Sequence, residues 1–302
     1  MYTGFEGNFQ NIQPANIFYS MAPKGQATLD ENENAITQLN LATEKILSRI
    51  PDIIGIDPSF GCPVYLKCWL TLGQLNTDKT ERIIREGMRW RKEKNSEFAI
   101  TQPLNPLIEK ALRLYIDGNS KNGFVVGSAY LGVFKLRDIL SKVGVEAGLY
   151  HWLQVLGRTE KLCIERSKEL SQRYNNEDIR LWPALKKNWF IINAKHLSYF
   201  ECIHTGVIQM AVALVKMGTS YFPGLEGTIV IINAGRFMEL ALRAVRPLLT
   251  GSNADLIVFG YDELAWKAFI HKHVDPDQLR TPFGGTMEYN DLYNPDKDYM
   301  KI

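Results

Sequence analysis

The chain is poor in everything that would tie it to a covalent, metal-bound or membrane-spanning framework. Its four cysteines, Cys62, Cys68, Cys163 and Cys202, form no CxxC pair, and the chain opens without a basic-then-apolar leader. Neither disulfides nor secretion is therefore expected, and a reducing cytosol is the default compartment. No uninterrupted apolar run approaches the roughly 20 residues that span a bilayer, so membrane contact is expected to be peripheral. A charge excess is missing as well. With 35 Lys and Arg against 33 Asp and Glu the formal net charge is +2, which leaves no global field to draw nucleic acid, and no nucleic-acid motif is present. The signatures GxSxG, GxxxxGK[ST], HExxH and GxGxxG are absent. What remains is 302 residues, 45% hydrophobic and 23% charged, enough for one large core or two modest ones without staples.

The scattered reactive residues do not assemble into chemistry. His271 and His273 flank Lys272 on an expected helix, where alternate residues point to different sides, and no Cys or carboxylate cluster accompanies them, so a solvated helix end is expected and no metal site. Cys202 stands near His196 and His204, yet nothing in the spacing fixes a base beside the thiol. No catalytic residue and no cofactor are expected, and the chain is not read as an enzyme. Gly284-Gly285 reads as a tight turn needing positive φ or close backbone approach.

Pattern divides the chain into an irregular Asn-, Gln-, Pro- and Gly-rich arm over 1–34, a helical module over 35–105, an α/β domain over 106–290 and a tail over 291–302. In the module, Ile36, Leu39, Leu41, Ile46 and Leu47 fall largely on one side of a first helix. Thr77 can cap another running to Lys94, with Ile83, Ile84, Met88 and Trp90 inward. Two prolines in TQPLNP, Thr101 to Pro106, mark the joint. Beyond it the apolar runs FVVGSAYL, FII near Phe190, TIVII from Thr228 and LIVFGY from Leu256 alternate with helical spacing, the pattern of an α/β sheet with crossover helices. Two stretches share the tetrapeptide IINA, Ile191 to Ala194 and Ile231 to Ala234. In each an apolar strand ends in Asn, a good turn and capping residue, which also fits two ordinary strand-to-helix junctions.

The order of these blocks resembles the CRAL-TRIO lipid-binding family, which includes the secretory-pathway phosphatidylinositol transfer proteins and the tocopherol and retinaldehyde carriers. The likeness covers about residues 60 to 290. Tyr65 to Asn95 is similar to the family's helical module, which ends on a Trp-Arg-Lys helix, here Trp90, Arg91 and Lys92. IINAKHLS stands where the family has a strand ending in Asp, then Gly and Ser; Ser198 agrees, Asn193 and His196 depart. Phe222-Pro223 stands for a Tyr-Pro, IVIINAGRF for a strand ending in Asn-Ala-Pro, and Arg246-Pro247-Leu248-Leu249 for a basic-Pro-Phe-Leu. The closing DPDQLRTPFGGT matches best, with Arg280 and Thr281 replacing a usual Pro and its neighbour.

The resemblance implies a mixed sheet, a hydrophobic pocket and a gate helix that closes it and swings open at a membrane. The gate falls on Phe237 to Leu249, where Glu239, Arg243 and Arg246 make one narrow polar stripe and the rest is apolar. Such a helix also suits burial between layers; the family favours the gate, and Pro247 suits a mobile lid. Pocket candidates are Phe190, Ile192, Val207, Met210 and Leu214 from the first unit, Val230 and Ile232 from the second strand, and Phe237, Leu240, Ala241, Ala244, Val245 and Leu248 from the lid, with Ser198 and Tyr199 as polar contacts. Met238, Leu242, Arg246 and Leu249 are expected to face the membrane. In the phosphatidylinositol binders a Thr and a Lys precede the strand after the gate; here Ser252 and Asp255 occupy those positions, and Lys67 to Leu72 replaces an arginine-rich run. A carboxylate would repel a phosphate, which speaks against phosphatidylinositol as the specific ligand and leaves other lipids and small hydrophobic molecules open. The expected function is non-catalytic binding and transfer or sensing of such a ligand, in the cytoplasm and transiently at membranes, with no nucleic-acid partner. The alternative is an interaction module that keeps the fold without a ligand.

Overall fold

Local rules explain most of the N-terminal helices. A computed structural model describes residues 29–131, 135–173, 188–225, 227–236 and 254–288, with Met238, Leu242, Arg243, Pro247 and Leu249 between the last two stretches. The expected tail at 291–302 and most of the expected arm lie outside these residues. Helix α1 (Leu29–Leu47) starts ahead of the expected boundary at Ala35. Leu39, Ala42, Thr43 and Ile46 form its buried stripe, whereas Leu41 is 61% exposed, because it lies about 200° around the helix from Leu39. Helices α2 (Pro51–Ile56) and α3 (Pro63–Leu72) follow. For α4 (Thr77–Glu93) the cap is Asn76 and not Thr77: its side-chain oxygen accepts the Lys79 N–H at 2.9 Å. The buried positions of α4 are Thr80, Ile84, Gly87 and Arg91, a 4-3-4 spacing that carries Ile83 and Met88 at its margins. Phe60, Tyr65, Leu66, Trp69 and Leu70 complete this module's core. The two prolines do not end the helical part: α5 (Ser96–Thr101) stops before them and Pro106 starts α6 (Pro106–Ala111), with Asn105 accepting the Leu107 N–H at 3.0 Å.

The sheet follows in the order β1 (Tyr115–Asn119), β2 (Val125–Tyr130), β3 (Asn188–Asn193), β4 (Gly227–Ile232) and β5 (Asp255–Val258). The last four are the expected apolar runs and pair in parallel; β1 joins β2 antiparallel. The strand β1, YIDGN, is rich in strand-poor residues and holds as an irregular edge whose buried Asp117 is ion-paired with Arg280. That pair accounts for a departure from the family pattern, since the arginine that replaces proline locks the closing loop to the sheet. The crossovers are α7 (Leu136–Arg173, interrupted at Gly144, φ 80°), α8 (Tyr199–Ile203) and α9 (Thr205–Tyr221), while α10 (Glu263–His271) follows the last strand.

The repeated IINA now has a physical reading. Asn193 and Asn233 end adjacent parallel strands, and the Asn233 side-chain amide donates to the Asn193 side-chain oxygen at 3.1 Å. That oxygen also accepts the Lys195 N–H at 3.0 Å, while the Asn193 amide donates to the Pro282 carbonyl at 2.8 Å. Both stretches, and the closing loop, are thus tied at one point. Gly284 takes φ 91°, and any side chain at Gly285 would collide with the Leu279 carbonyl. His271 Nε2 donates to the Gly284 carbonyl at 2.8 Å and His273 stacks on Trp189 at 4.7 Å between centroids. His271 thus ties the helix end to the closing turn, while Lys272 and His273 stay exposed.

One buried ion pair joins the module to the α/β domain. Arg91 of α4 donates to Glu160 of α7 at 2.6 Å, to the Tyr65 hydroxyl at 3.1 Å and to the Tyr221 carbonyl at 2.6 Å. The other Glu160 oxygen accepts the Gly224 N–H at 2.9 Å, and the guanidinium lies 4.8 Å from the Phe222 ring centre. Burial is the largest effect and opposes the charge on Arg91, but Glu160, Tyr65 and Asp57 together outweigh it and hold the guanidinium protonated. Beside it Trp90 stacks on Tyr221 at 4.0 Å. The Trp-Arg pair of the helical module is the docking point of the two parts.

Candidate functional site

A cavity of about 250 Å³ lies against one face of the sheet. The parallel register decides which strand residues reach it. Phe190 pairs with Ile229 and Ile192 with Ile231, while Ile191 pairs with Val230 and Asn193 with Ile232. Side chains alternate along a strand, so Phe190, Ile192 and Ile229 share a face, and Val230 and Ile232 share the opposite one. From the sheet the cavity is lined by Ala129, Phe190, Ile192, Gly227 and Ile229, and Ile191 also borders it. Val230 and Ile232 are fully buried in the other core, with Trp266, Ile270 and Phe283. Their expected place in the pocket is corrected by one residue of phase.

Helix α9 closes the cavity from above the sheet with Leu214, Val215, Gly218 and Thr219. Its sequence is apolar on almost every side, which suits a helix between two apolar surfaces. Val207 and Met210, expected in the pocket, are buried in the core and do not line the cavity; Leu214 does. Helix α7 contributes Trp152, Leu156 and Thr159, and α3 contributes Cys68 and Leu72. These were not foreseen. A 4-3 spacing in α7 carried the signal, but nothing in the sequence said which of several apolar stripes faces a void. Phe222, Pro223 and Leu225 close the end beside the Arg91–Glu160 pair. Among the described residues, no charged side chain lines the cavity.

The remaining expected positions fall elsewhere. Ser198 caps α8, accepting the Glu201 N–H at 3.3 Å, and Tyr199 is exposed against Phe200, so neither lines the cavity. Met238, Leu242 and Leu249 were expected to face outward, yet they are buried with Ala194, Ile231 and Leu256, and Leu249 lines the cavity. An apolar stripe set against the sheet satisfies itself there. Phe237, Leu240, Ala241, Ala244, Val245, Arg246, Leu248 and Ser252 lie outside the described residues. Asp255 opens β5 in register with Thr228, in phase with Val230 and away from the cavity. Cys202 is buried, and burial pushes its thiol pKa up, opposite to what a nucleophile needs.

A family model of the CRAL/TRIO domain matches residues 166–285, from the last turns of α7 through the closing Gly284-Gly285. The fold is similar to that of the crystal structure of Sfh5, with a TM-score of 0.55 and 12% identity, over 89% of this chain and 91% of that chain. At that identity the likeness is one of fold, and it spans the helical module as well as the sheet. Residues 166–285 thus match a CRAL/TRIO domain, and the helical module and mixed sheet around them share the fold of Sfh5.

Proposed function

We propose that the chain is a non-catalytic carrier or sensor that binds one lipid or comparable hydrophobic molecule in the cavity and exchanges it with membranes. The observation that carries the reading is the burial pattern around the cavity. Phe190, Ile192, Ile229, Leu214, Val215 and Gly218 are only partly buried, while Val230 and Ile232 on the opposite face of the sheet are tightly packed. Close-packed interiors leave few voids larger than a water, so an apolar face held open over two strands and a helix is a surface kept for a ligand. The CRAL-TRIO fold favours the same reading, and the stretch 237–249 takes the role of gate in it.

Exchange requires a way onto the membrane, and no helix among the described residues is long and apolar enough to cross one. Phe200 (63% exposed) with Tyr199 and Ile203 follows β3, and Leu264 (83%) with Tyr261 follows β5. Both groups leave the C-terminal ends of parallel strands, the edge from which residues 237–249 also depart. Exposed large apolar residues collected at one edge suit peripheral contact with a bilayer surface in the cytoplasm. Organic extraction of purified protein followed by mass spectrometry tests the proposal: a stoichiometric hydrophobic molecule is expected. Delipidated, folded protein that takes up no hydrophobic probe refutes it and favours the interaction-module alternative.

A further inference from the structure

One end of the cavity is built by both parts of the chain, and how it is held carries an inference that rests on reading the cavity as a ligand site. Phe222, Pro223 and Leu225 form the end wall. The backbone of that turn is held by three buried polar side chains, none of which lines the cavity. Arg91 donates to the Tyr221 carbonyl twice, from Nε at 3.2 Å and from Nη2 at 2.6 Å. Glu160 accepts the Gly224 N–H at 2.9 Å, and the Asn188 amide donates to the Gly224 carbonyl at 3.2 Å. Within the turn the Leu225 N–H donates to the Phe222 carbonyl at 3.1 Å. These backbone groups are spent inside the protein, and the wall turns carbon toward the cavity. The fit is close as well, since a Cβ on Gly224 would stand 2.8 Å from Glu160 Cγ.

Arg91, Glu160 and Asn188 are 8%, 2% and 2% exposed. Apolar side chains of similar volume often replace a buried ion pair at no cost in stability, so stability alone does not account for this one. Its connections do. Arg91 belongs to α4 and also donates to the Tyr65 hydroxyl of α3 at 3.1 Å, and Cys68 and Leu72 of the same α3 line the cavity, as does Thr159 beside Glu160. We propose that Arg91, Glu160 and Asn188 are positioning residues that fix residues 221–225 as an apolar end stop, so that the helical module sets how far the hydrocarbon end of a ligand reaches into the α/β domain. The polar end of the ligand points away from this stop. Set against Phe222, Pro223 and Leu225 it would be buried without a partner, a cost that a hydrocarbon end does not carry.

The test titrates the delipidated full chain with straight-chain 1-alkanols from octanol to octadecanol. In the wild type, affinity is expected to rise about fourfold for each added methylene and then to stop rising at one length. Arg91→Met combined with Glu160→Met removes the ties from Tyr221 and Gly224 and keeps the space filled. That variant should bind octanol as the wild type does and bind the first alkanols past the wild-type limit about fifteenfold more tightly, the worth of two further buried methylenes. Phe222→Ala, which shortens the stop itself, should move the limit the same way. A loss of affinity shared equally by every chain length marks a merely structural role and overturns the proposal. So does a wild-type series with no limit, or a limit that the folded double variant leaves in place. A limit unmoved in Phe222→Ala overturns the end stop while leaving the cavity a hydrophobic site. Should the double variant not fold, Gly224→Ala decides: its Cβ forces the turn off Glu160, and an unchanged limit overturns the proposal. Binding of no alkanol to the wild type overturns it together with the functional reading beneath it.

Discussion

Gly218 offers the sharpest separation of a ligand cavity from a packing defect. It sits on α9 at the cavity wall, and a Cβ added there meets nothing within 4 Å. Replacing it with leucine should stabilise the unliganded protein. Removing a glycine from a helix gains up to about 0.8 kcal/mol, somewhat less in the last turn. If the new side chain fills a third of the 250 Å³, about 80 Å³, then at roughly 24 cal/mol per Å³ the filled void returns about 2 kcal/mol. Lost rotamer freedom takes back about 0.5–1 kcal/mol, which leaves a net gain of about 1–2 kcal/mol. Urea unfolding of delipidated Gly218→Leu and wild type measures the gain. Extraction and mass spectrometry of both proteins, purified in parallel, measure its cost, which should be loss of most bound hydrophobic ligand. A variant that is less stable than the wild type, or that carries as much ligand, refutes the claim that Gly218 faces an open, ligand-filled space.

Other perturbations test the supports of the site. Arg91→Ala strands the buried Glu160 carboxylate and should cost about 3–5 kcal/mol in chemical unfolding, whereas Arg91→Met combined with Glu160→Met should recover most of it; a single variant losing under 1 kcal/mol contradicts the clasp. His151 is buried on α7 with Nε2 donating to the Leu112 carbonyl at 3.4 Å, and burial lowers its pKa below the ordinary 6.5. The unfolded chain therefore takes up this proton first, and stability should fall as pH drops below about 6.5, by less in His151→Gln than in the wild type; parallel acid-loss curves for the two refute it. Phe200→Ser changes an exposed residue, so its unfolding should shift by no more than about 0.5 kcal/mol, while vesicle co-sedimentation should fall roughly tenfold if the ring enters the bilayer interface.

What the sequence could reveal followed from which forces act locally. Four of the five strands were legible because a buried parallel strand is a short continuous apolar run, and the family blocks placed them in order. The fifth, β1, was not, because its Asp117 is stabilised by Arg280, more than 160 residues away, and no window along the chain contains both. The pocket divided along the same line. Phe190, Ile192 and Leu214 were placed by being apolar and in the first unit. Val230 and Ile232 failed because strand phase is set by pairing: β4 is apolar at Ile229, Val230, Ile231 and Ile232 alike, so composition along it cannot say which face is hollow. Only the register with β3 decides. The same ambiguity hides the cavity wall in α9, where Met210 and Leu214 are chemically alike and differ in whether another side chain or an empty volume stands opposite. An apolar residue that packs and one that waits for a ligand carry the same letter. The distinction lies in what is missing across from them, and here it is visible at Gly218, where a Cβ added on the cavity wall meets nothing within 4 Å.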